Sequence, residues 1–350
     1  MDEQSVKQAC LLDFHNLKYR NRIFDLLKFY AMLSVVLDHS LQHMVGGNIQ
    51  STQLYNWIFL SQMPIFMFVS GYFALNRINK NTSVQDFFKK LWKMVANLFI
   101  PFLSYAIIVS IIKQKNLVFK SIIYPDYSLW FLWALMWMQI IMLISQYVAK
   151  MTTKREIAKT VVSIMFYCIG LIPVGILYLK VPNMFESKLI IFYSVFFLLG
   201  YCYSMLEKHV RILENDRFKL IMIPSTMLVV VIVMITHPTV IYDVENIINI
   251  GVRFIGSCSV TLLMMYLASF IAKIGIMKKI ASLGVLSLEL YYVHLLLLRI
   301  PFFNSEGATI FVFIIKYLLI VVVSIIIILI VKSNWISDFV IFGKLPYREE

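Results

Sequence analysis

Charged side chains are scarce in this chain, and their scarcity sets the class of protein. They make up 15% of the 350 residues, whereas soluble domains carry about 25%. Hydrophobic residues make up 60%, and the mean hydropathy is +0.80. A soluble fold of this length has too little interior to bury so much apolar surface. The composition therefore excludes a soluble globular protein and predicts an integral membrane protein.

Cysteine is also scarce, and the four cysteines show no paired spacing. Cys168, Cys202 and Cys258 lie inside apolar runs, and Cys10 lies in the polar N-terminal segment. This placement predicts neither a disulfide framework nor a zinc site, and we expect no metal and no permanently bound cofactor. The first 22 residues are polar and lack a small-residue cleavage site, which indicates a cytoplasmic tail rather than a cleaved signal.

Long apolar runs are what the chain has in abundance. A helix needs about 20 apolar residues to cross a hydrocarbon core of about 30 Å. Ten such runs occur, at residues 23–45, 54–75, 94–112, 128–148, 160–178, 189–206, 220–236, 251–272, 282–300 and 310–331. The sequence therefore predicts an all-α bundle of about ten transmembrane helices. In this prediction, a transmembrane domain over 23–331 lies between tails at 1–22 and 332–350.

The basic residues orient this bundle. A formal charge of +13 can indicate nucleic-acid binding, but here the lysines and arginines occupy short segments between apolar runs. With the N-terminus inside, the cytoplasmic segments hold 23 of the 32 basic residues and the outer loops hold 5. This bias follows the positive-inside rule. We therefore expect both termini in the cytoplasm of a multi-pass cell-membrane protein (plasma or inner membrane), with lipid rather than nucleic acid as its surroundings.

The first predicted span is the richest in ionisable side chains. Asp25 and Lys28 are one turn apart, and His39 follows Lys28 by eleven residues, which returns it to within roughly 20° of the same face. Asp25 could simply be a first-turn carboxylate that the helix dipole stabilises, and the side chain of Lys28 could extend to the lipid headgroups. His39 lies too deep for that, and an imidazole beside Asp38 suits general-base chemistry.

A second polar cluster lies in the ninth predicted span. Ser287, Tyr291 and His294 fall at positions i, i+4 and i+7, which is one face of a helix. His294 and His39 each lie about 9 Å from the outer end of their spans. Matching depth predicts a shared cavity, although a structural, hydrogen-bonded His294 is the alternative.

The second predicted span contains Pro64 in mid-membrane and the pair Ser70-Gly71 in its inner half. These residues are typical of a kink with close helix packing, or of a break whose backbone lines a cavity.

Three lysines, Lys89, Lys90 and Lys93, occupy the segment that follows the second span, which we interpret as a loop. They are either a topology signal or a site for the phosphates of a nucleotide-bearing donor. Trp130, in the fourth predicted span, is typical of an interface or packing residue.

Four motifs occur in order between residues 20 and 300. They are FDLLKFYAMLSVVLDHS with Asp25, Lys28 and His39; MPIFMFVSGYF; SLWFL (128–132); and SLELYYVH (287–294). Together they resemble the signature of the acyltransferase-3 family of membrane-bound O-acyltransferases, in its fucose 4-O-acetylase-like branch. The sequence departs from that pattern where Lys28 replaces the common arginine, where Gln62 replaces a histidine, and where lysines replace an arginine-rich cytoplasmic motif.

The resemblance implies transfer of an acyl group, expected to be acetyl, from cytoplasmic acyl-CoA to a hydroxyl of a cell-surface polysaccharide or lipid-linked sugar. It implies a catalytic group of His39, Asp25, Lys28 and His294. It implies acceptor or oxyanion binding by Ser287 and Tyr291. It implies acyl-CoA binding by Ser70, Gly71, Lys89, Lys90, Lys93 and Trp130. An exporter of a polysaccharide repeat or small solute is the alternative, although transporters often contain two related halves and none is visible here.

Overall fold

The protein is described from a computed structural model that covers residues 21–45, 52–75, 77–78, 81–125, 129–181, 184–210, 215–236, 247–304, 307 and 309–345. Within these residues the secondary structure is helical throughout, with no β-strand. The helices are α1 (Arg22–Met44), α2 (Gln53–Tyr72), α3 (Val84–Ile112), α4 (Val118–Ile123), α5 (Trp130–Thr152), α6 (Glu156–Lys180), α7 (Ser187–Val210), α8 (Asp216–Thr236), α9 (Ile247–Ile271), α10 (Gly275–Leu283), α11 (Ser287–Leu297), α12 (Ile310–Lys332) and α13 (Trp335–Phe342). Short 3₁₀ turns precede α7 (Met184–Glu186) and α11 (Gly284–Leu286).

The prediction of an all-α, polytopic membrane protein is confirmed. Eight helical segments of the described chain are long and apolar enough to cross a membrane. The helices α1 and α2 are not among the eight, although they have 23 and 20 residues. Both carry polar side chains that lower their hydropathy, and α1 holds the ionisable residues of the first motif. The count of ten spans and the cytoplasmic placement of both termini stay predictions.

Helix α3 begins ten residues earlier than the sequence prediction placed it. Ser83 caps its start: the Ser83 side chain accepts from the backbone of Asp86, whose carboxylate accepts from the Ser83 backbone in return. This reciprocal capping stabilises a helix start. The assignment of the three lysines 89, 90 and 93 to a loop was therefore wrong, because they lie in the first turns of α3.

The ninth predicted span is a composite. Helix α10, a 3₁₀ turn and α11 together form a segment, Gly275–Leu297, that is long and apolar enough to cross the bilayer. The predicted C-terminal tail also contains a helix that the hydropathy pattern missed, α13. It packs on α3, and the Ser104 hydroxyl donates to the Ile341 carbonyl across 3.1 Å. The predicted N-terminal tail lies outside the described residues, except for its last two positions.

The described chain divides into two compact units. Unit 1 consists of residues 70–204 with 331–345, and inside it α5 packs on α6 and on α3. Unit 2 consists of residues 21–69 with 205–330, and inside it α1 packs on α9, α10 and α11, while α8 packs on α9.

Candidate active site

An ion pair stands at the start of α1, in unit 2. Lys28 Nζ lies 2.8 Å from Asp25 Oδ1, with the two side chains 21% and 5% exposed. Just before them, the side chain of Asn21 caps the helix by accepting from the backbone N–H of Ile23. The structure therefore brings together the first two residues of the predicted polar stripe, and each charge offsets the cost of burying the other.

Close backbone packing holds the segment before α11 against α1. A Cβ atom placed on Gly284 would collide with the backbone carbonyl of Asp25. Only glycine allows two backbones to approach this closely. From this contact α11 leads to His294 and α1 leads to His39, which is how two residues 255 positions apart in the chain come to lie side by side.

The two histidines are in contact. The ring centroids of His39 and His294 lie 5.5 Å apart, with a tilt of 33° between the rings. The sequence placed both at one depth, and the structure brings them together. Tyr291 also contacts His294, with the two ring centroids 5.8 Å apart. Ser287 is buried on α11 but lies two turns before His294, about 10 Å along the helix axis.

The hydrogen bonding of His294 fixes its tautomer. Nδ1 lies 2.8 Å from the backbone carbonyl of Leu290. A carbonyl only accepts, so in the neutral ring the proton sits on Nδ1 and Nε2 keeps a lone pair. This Nε2 is buried and has no hydrogen-bond partner among the described residues. His294 therefore makes the hydrogen bond expected of a structural histidine. It also keeps one nitrogen without a partner, as a histidine that lines a cavity with His39 would need.

Asp38, the neighbour of His39, is held by two glutamines. Gln42 donates from Nε2 to Oδ1 of Asp38, and Gln62 donates from Nε2 to Oδ2, each across 2.9 Å. Asp38 and Gln62 are each about 5% exposed. Sequence reasoning noted Gln62 only as a departure from the family motif, so its contact with the histidine region was missed. Its position one residue before the Met-Pro pair was the available signal.

In unit 1, the three lysines of α3 differ in environment. Lys89 and Lys93 are exposed. Lys90 donates across 2.8 Å to the backbone carbonyl of Arg77, in the connection between α2 and α3. Burial lowers the pKa of the Arg77 guanidinium to about 10, so this group stays charged at neutral pH.

Two further lysines, missed by sequence reasoning, bind the same connection. Lys159 of α6 donates to the carbonyl of Ile78 across 2.7 Å, and Lys150 of α5 donates to the carbonyl of Thr82. The charge count assigned both to the topology signal. Their contacts show that they also fix the backbone between α2 and α3.

The remaining predicted donor residues, also in unit 1, have packing contacts. A Cβ atom on Gly71 would collide with the carbonyl of Phe197, so this glycine allows α2 to pack closely on α7. The neighbouring Ser70 is half-buried, and α2 runs unbroken through its proline. Trp130 stacks on Tyr193 with ring centroids 5.7 Å apart. Ser128, at the start of the third motif, lies outside the described residues.

The family follows from a comparison of the whole chain with family models. A model described as an acyltransferase domain matches residues 21–332. The chain belongs to the acyltransferase-3 family. Neither the curated proteins nor the solved structures gave a match. Membership of the family makes the chain a membrane acyltransferase.

Proposed function

We propose that this acyltransferase moves an acetyl group from cytoplasmic acetyl-CoA to a hydroxyl of a cell-surface polysaccharide or lipid-linked sugar. The contact between His39 and His294 is the observation that carries the proposal, because it places two imidazoles together in a family of acyltransferases. Acyl transfer to oxygen requires a base for the hydroxyl proton and a stabiliser for the oxyanion.

In this proposal His39 is the general base. It takes the proton of the acceptor hydroxyl while the oxygen attacks the thioester carbonyl. A C–O bond forms, the C–S bond breaks as the tetrahedral intermediate collapses, and the proton passes to the departing thiolate of CoA. Transient acylation of His39, with a second attack by the hydroxyl, satisfies the same balance. The chemistry therefore allows both direct transfer and an acyl-enzyme.

Tyr291 and His294 have two further roles in this proposal, one at the oxyanion and one at the acceptor sugar. The ring of Tyr291 contacts that of His294, and a tyrosine hydroxyl can donate a hydrogen bond that stabilises an oxyanion. His294, with its lone pair on Nε2, accepts a hydrogen bond from the acceptor sugar. Ser287 lies two turns away, so we assign it to the acceptor path rather than to the reacting atoms.

The ion pair of Asp25 and Lys28 belongs to the inner end of the same helix face. In this proposal Asp25 and Lys28 belong to the catalytic group, and their ion pair holds the first turns of the polar face of α1. In unit 1, Lys89 and Lys93 are exposed cations suited to the phosphates of CoA. Lys90, also on α3, supports them by binding the α2–α3 connection through the Arg77 carbonyl. Ser70, Gly71 and Trp130 remain proposed donor-binding residues.

Purified protein in lipid vesicles tests the proposal. Labelled acetyl-CoA is supplied with the organism's own surface glycan, from which esters have been removed by mild alkali, and acetyl ester on the glycan is measured. The wild type should form ester, and His39→Ala should lose 10²–10⁴-fold in rate, as expected for a missing general base. His43→Ala is the matched control, because this histidine lies one turn further along α1, and it should retain activity. Equal rates for His39→Ala and wild type would contradict the proposal.

A further inference from the structure

Gln42 and Gln62 both bind Asp38, but the environments of their side-chain carbonyl oxygens differ. Gln42 is exposed, so water can satisfy its oxygen. Gln62 is about 5% exposed, and its Oε1 has no hydrogen-bond partner among the described residues. The same carboxylate therefore anchors one solvated amide and one buried amide.

The orientation of the buried amide follows from simple chemistry. A carboxylate has no proton to give, so the amide nitrogen of Gln62 must face Asp38 and its oxygen must face away. Asp38 thus fixes the direction in which Oε1 points. A buried amide oxygen without a partner is costly, and such atoms in native proteins call for a physical explanation.

A ligand of defined chemistry would provide that explanation. Nε2 of His294 is a second buried atom without a partner in the described chain, and it too can only accept when the ring is neutral. The hydroxyl of Ser40, next to His39, is buried without a partner as well. These residues are linked by contacts: Gln62 binds Asp38, the chain neighbour of His39, and His39 contacts His294. Two acceptors and one hydroxyl would complement a molecule that brings several hydrogen-bond donors. A neutral polyhydroxylated compound does so, whereas a phosphate or carboxylate brings only acceptors.

We propose that Gln62 is an acceptor-binding residue, whose carbonyl oxygen, aimed by Asp38, accepts a hydrogen bond from a hydroxyl of a neutral sugar. This deepens the proposed function and rests on it, since the sugar is the acyl acceptor. The bond orients the sugar beside His39 and leaves the donor side of the reaction untouched.

Two matched variants test the role of Gln62. Gln62→Met and Gln42→Met each remove one hydrogen bond to Asp38 and preserve side-chain length, but only the first removes the buried oxygen. In the vesicle assay with ester-free glycan, Gln62→Met should raise the KM for glycan about 3- to 10-fold, which is the effect of one neutral hydrogen bond. Its KM for acetyl-CoA and its rate of acetyl-CoA hydrolysis by water should not change. Gln42→Met measures the effect of losing one hydrogen bond to Asp38 alone, so its KM for glycan should rise less than that of Gln62→Met.

The outcomes separate this inference from the proposed function. An unchanged KM for glycan in Gln62→Met, or an equal rise in both variants, would overturn the role of Gln62. If wild type transfers no acetyl group, the proposed function fails, and direct binding of the same glycan still decides: weaker binding by Gln62→Met than by Gln42→Met supports the role, and equal binding refutes it.

A second variant covers the case in which Gln62→Met fails to accumulate. Asp38→Asn preserves shape but supplies an amide N–H, which can donate to Oε1 of Gln62 and occupy it. The KM for glycan should rise here too, and an unchanged KM would count against the inference.

Discussion

The imidazole of His294 has one nitrogen committed and one available. The Leu290 carbonyl accepts from Nδ1, Nε2 has no partner among the described residues, and the ring of His39 contacts that of His294. Hydrogen bonding to the backbone is a common way to fix the working nitrogen of a histidine. The two histidines are therefore held differently. His294 is oriented by a carbonyl of its own helix, whereas His39 follows Asp38, whose carboxylate accepts from two glutamines.

The exposed lysines of α3, Lys89 and Lys93, are expected to bind the phosphates of acetyl-CoA. We expect the double variant Lys89→Ala/Lys93→Ala to weaken acetyl-CoA binding at least tenfold, because charge-assisted contacts to phosphate are among the stronger hydrogen bonds. Binding of CoA to purified protein, measured by calorimetry, checks this. The control is Lys113→Ala/Lys115→Ala, which removes the same charge beyond the opposite end of α3 and should bind normally. Equal affinity in both double variants would return Lys89 and Lys93 to the role of topology signal.

At the scale of elements, the contact between α1 and the turn before α11 sets the geometry of the site. Gly284 lies against the backbone of Asp25, and from there both helices lead to their histidines. The distance between α1 and the turn before α11 therefore depends on residue 284 being a glycine, which has no side chain, and not on the histidines. Small residues at helix contacts are a general device in membrane proteins.

The variant Gly284→Ala tests this dependence. The added methyl meets backbone atoms, which cannot move aside, so the helices must separate. We expect a lower melting temperature in detergent and a loss of acetyl transfer that exceeds any change in acetyl-CoA binding. Gly275→Ala, in the same composite segment, meets no atom within 4 Å and should behave as wild type. A fully active and stable Gly284→Ala variant would show that the close approach is dispensable.

Comparison of the helices with the sequence predictions shows which features the sequence could predict. Apolar runs and helical periodicity were sufficient to predict an all-helical membrane bundle and the common depth of His39 and His294. They could not reveal the start of α3, because the Ser83 cap extends the helix into a basic segment that hydropathy reads as a loop. They could not reveal the hydrogen bond of Gln62 either, because contacts between helices are not written in the periodicity of one helix. The short α13 escaped because eight residues are too few to give a transmembrane signal.

At the scale of the whole molecule, the acyltransferase domain is a polytopic helical bundle. In the proposed function the acyl-CoA donor lies in the cytoplasm and the acceptor lies on the other side of the membrane, so an acyl group has to cross the bilayer. Lys89, Lys90 and Lys93 of unit 1 lie in a segment that the positive-inside rule assigns to the cytoplasm. The histidines of unit 2 lie in the halves of α1 and α11 that the predicted topology directs outward.

The decisive measurement compares the surface glycan of cells that produce wild type with that of cells that produce His39→Ala, with membrane abundance of the protein verified. Two quantities are measured together: the amount of surface glycan and its ester content. The account predicts a normal amount of glycan with ester near background, because His39 is needed for transfer and not for export. A reduced amount of glycan that still carries its normal ester would contradict the account and favour an exporter, and unchanged glycan with unchanged ester would remove His39 from the chemistry.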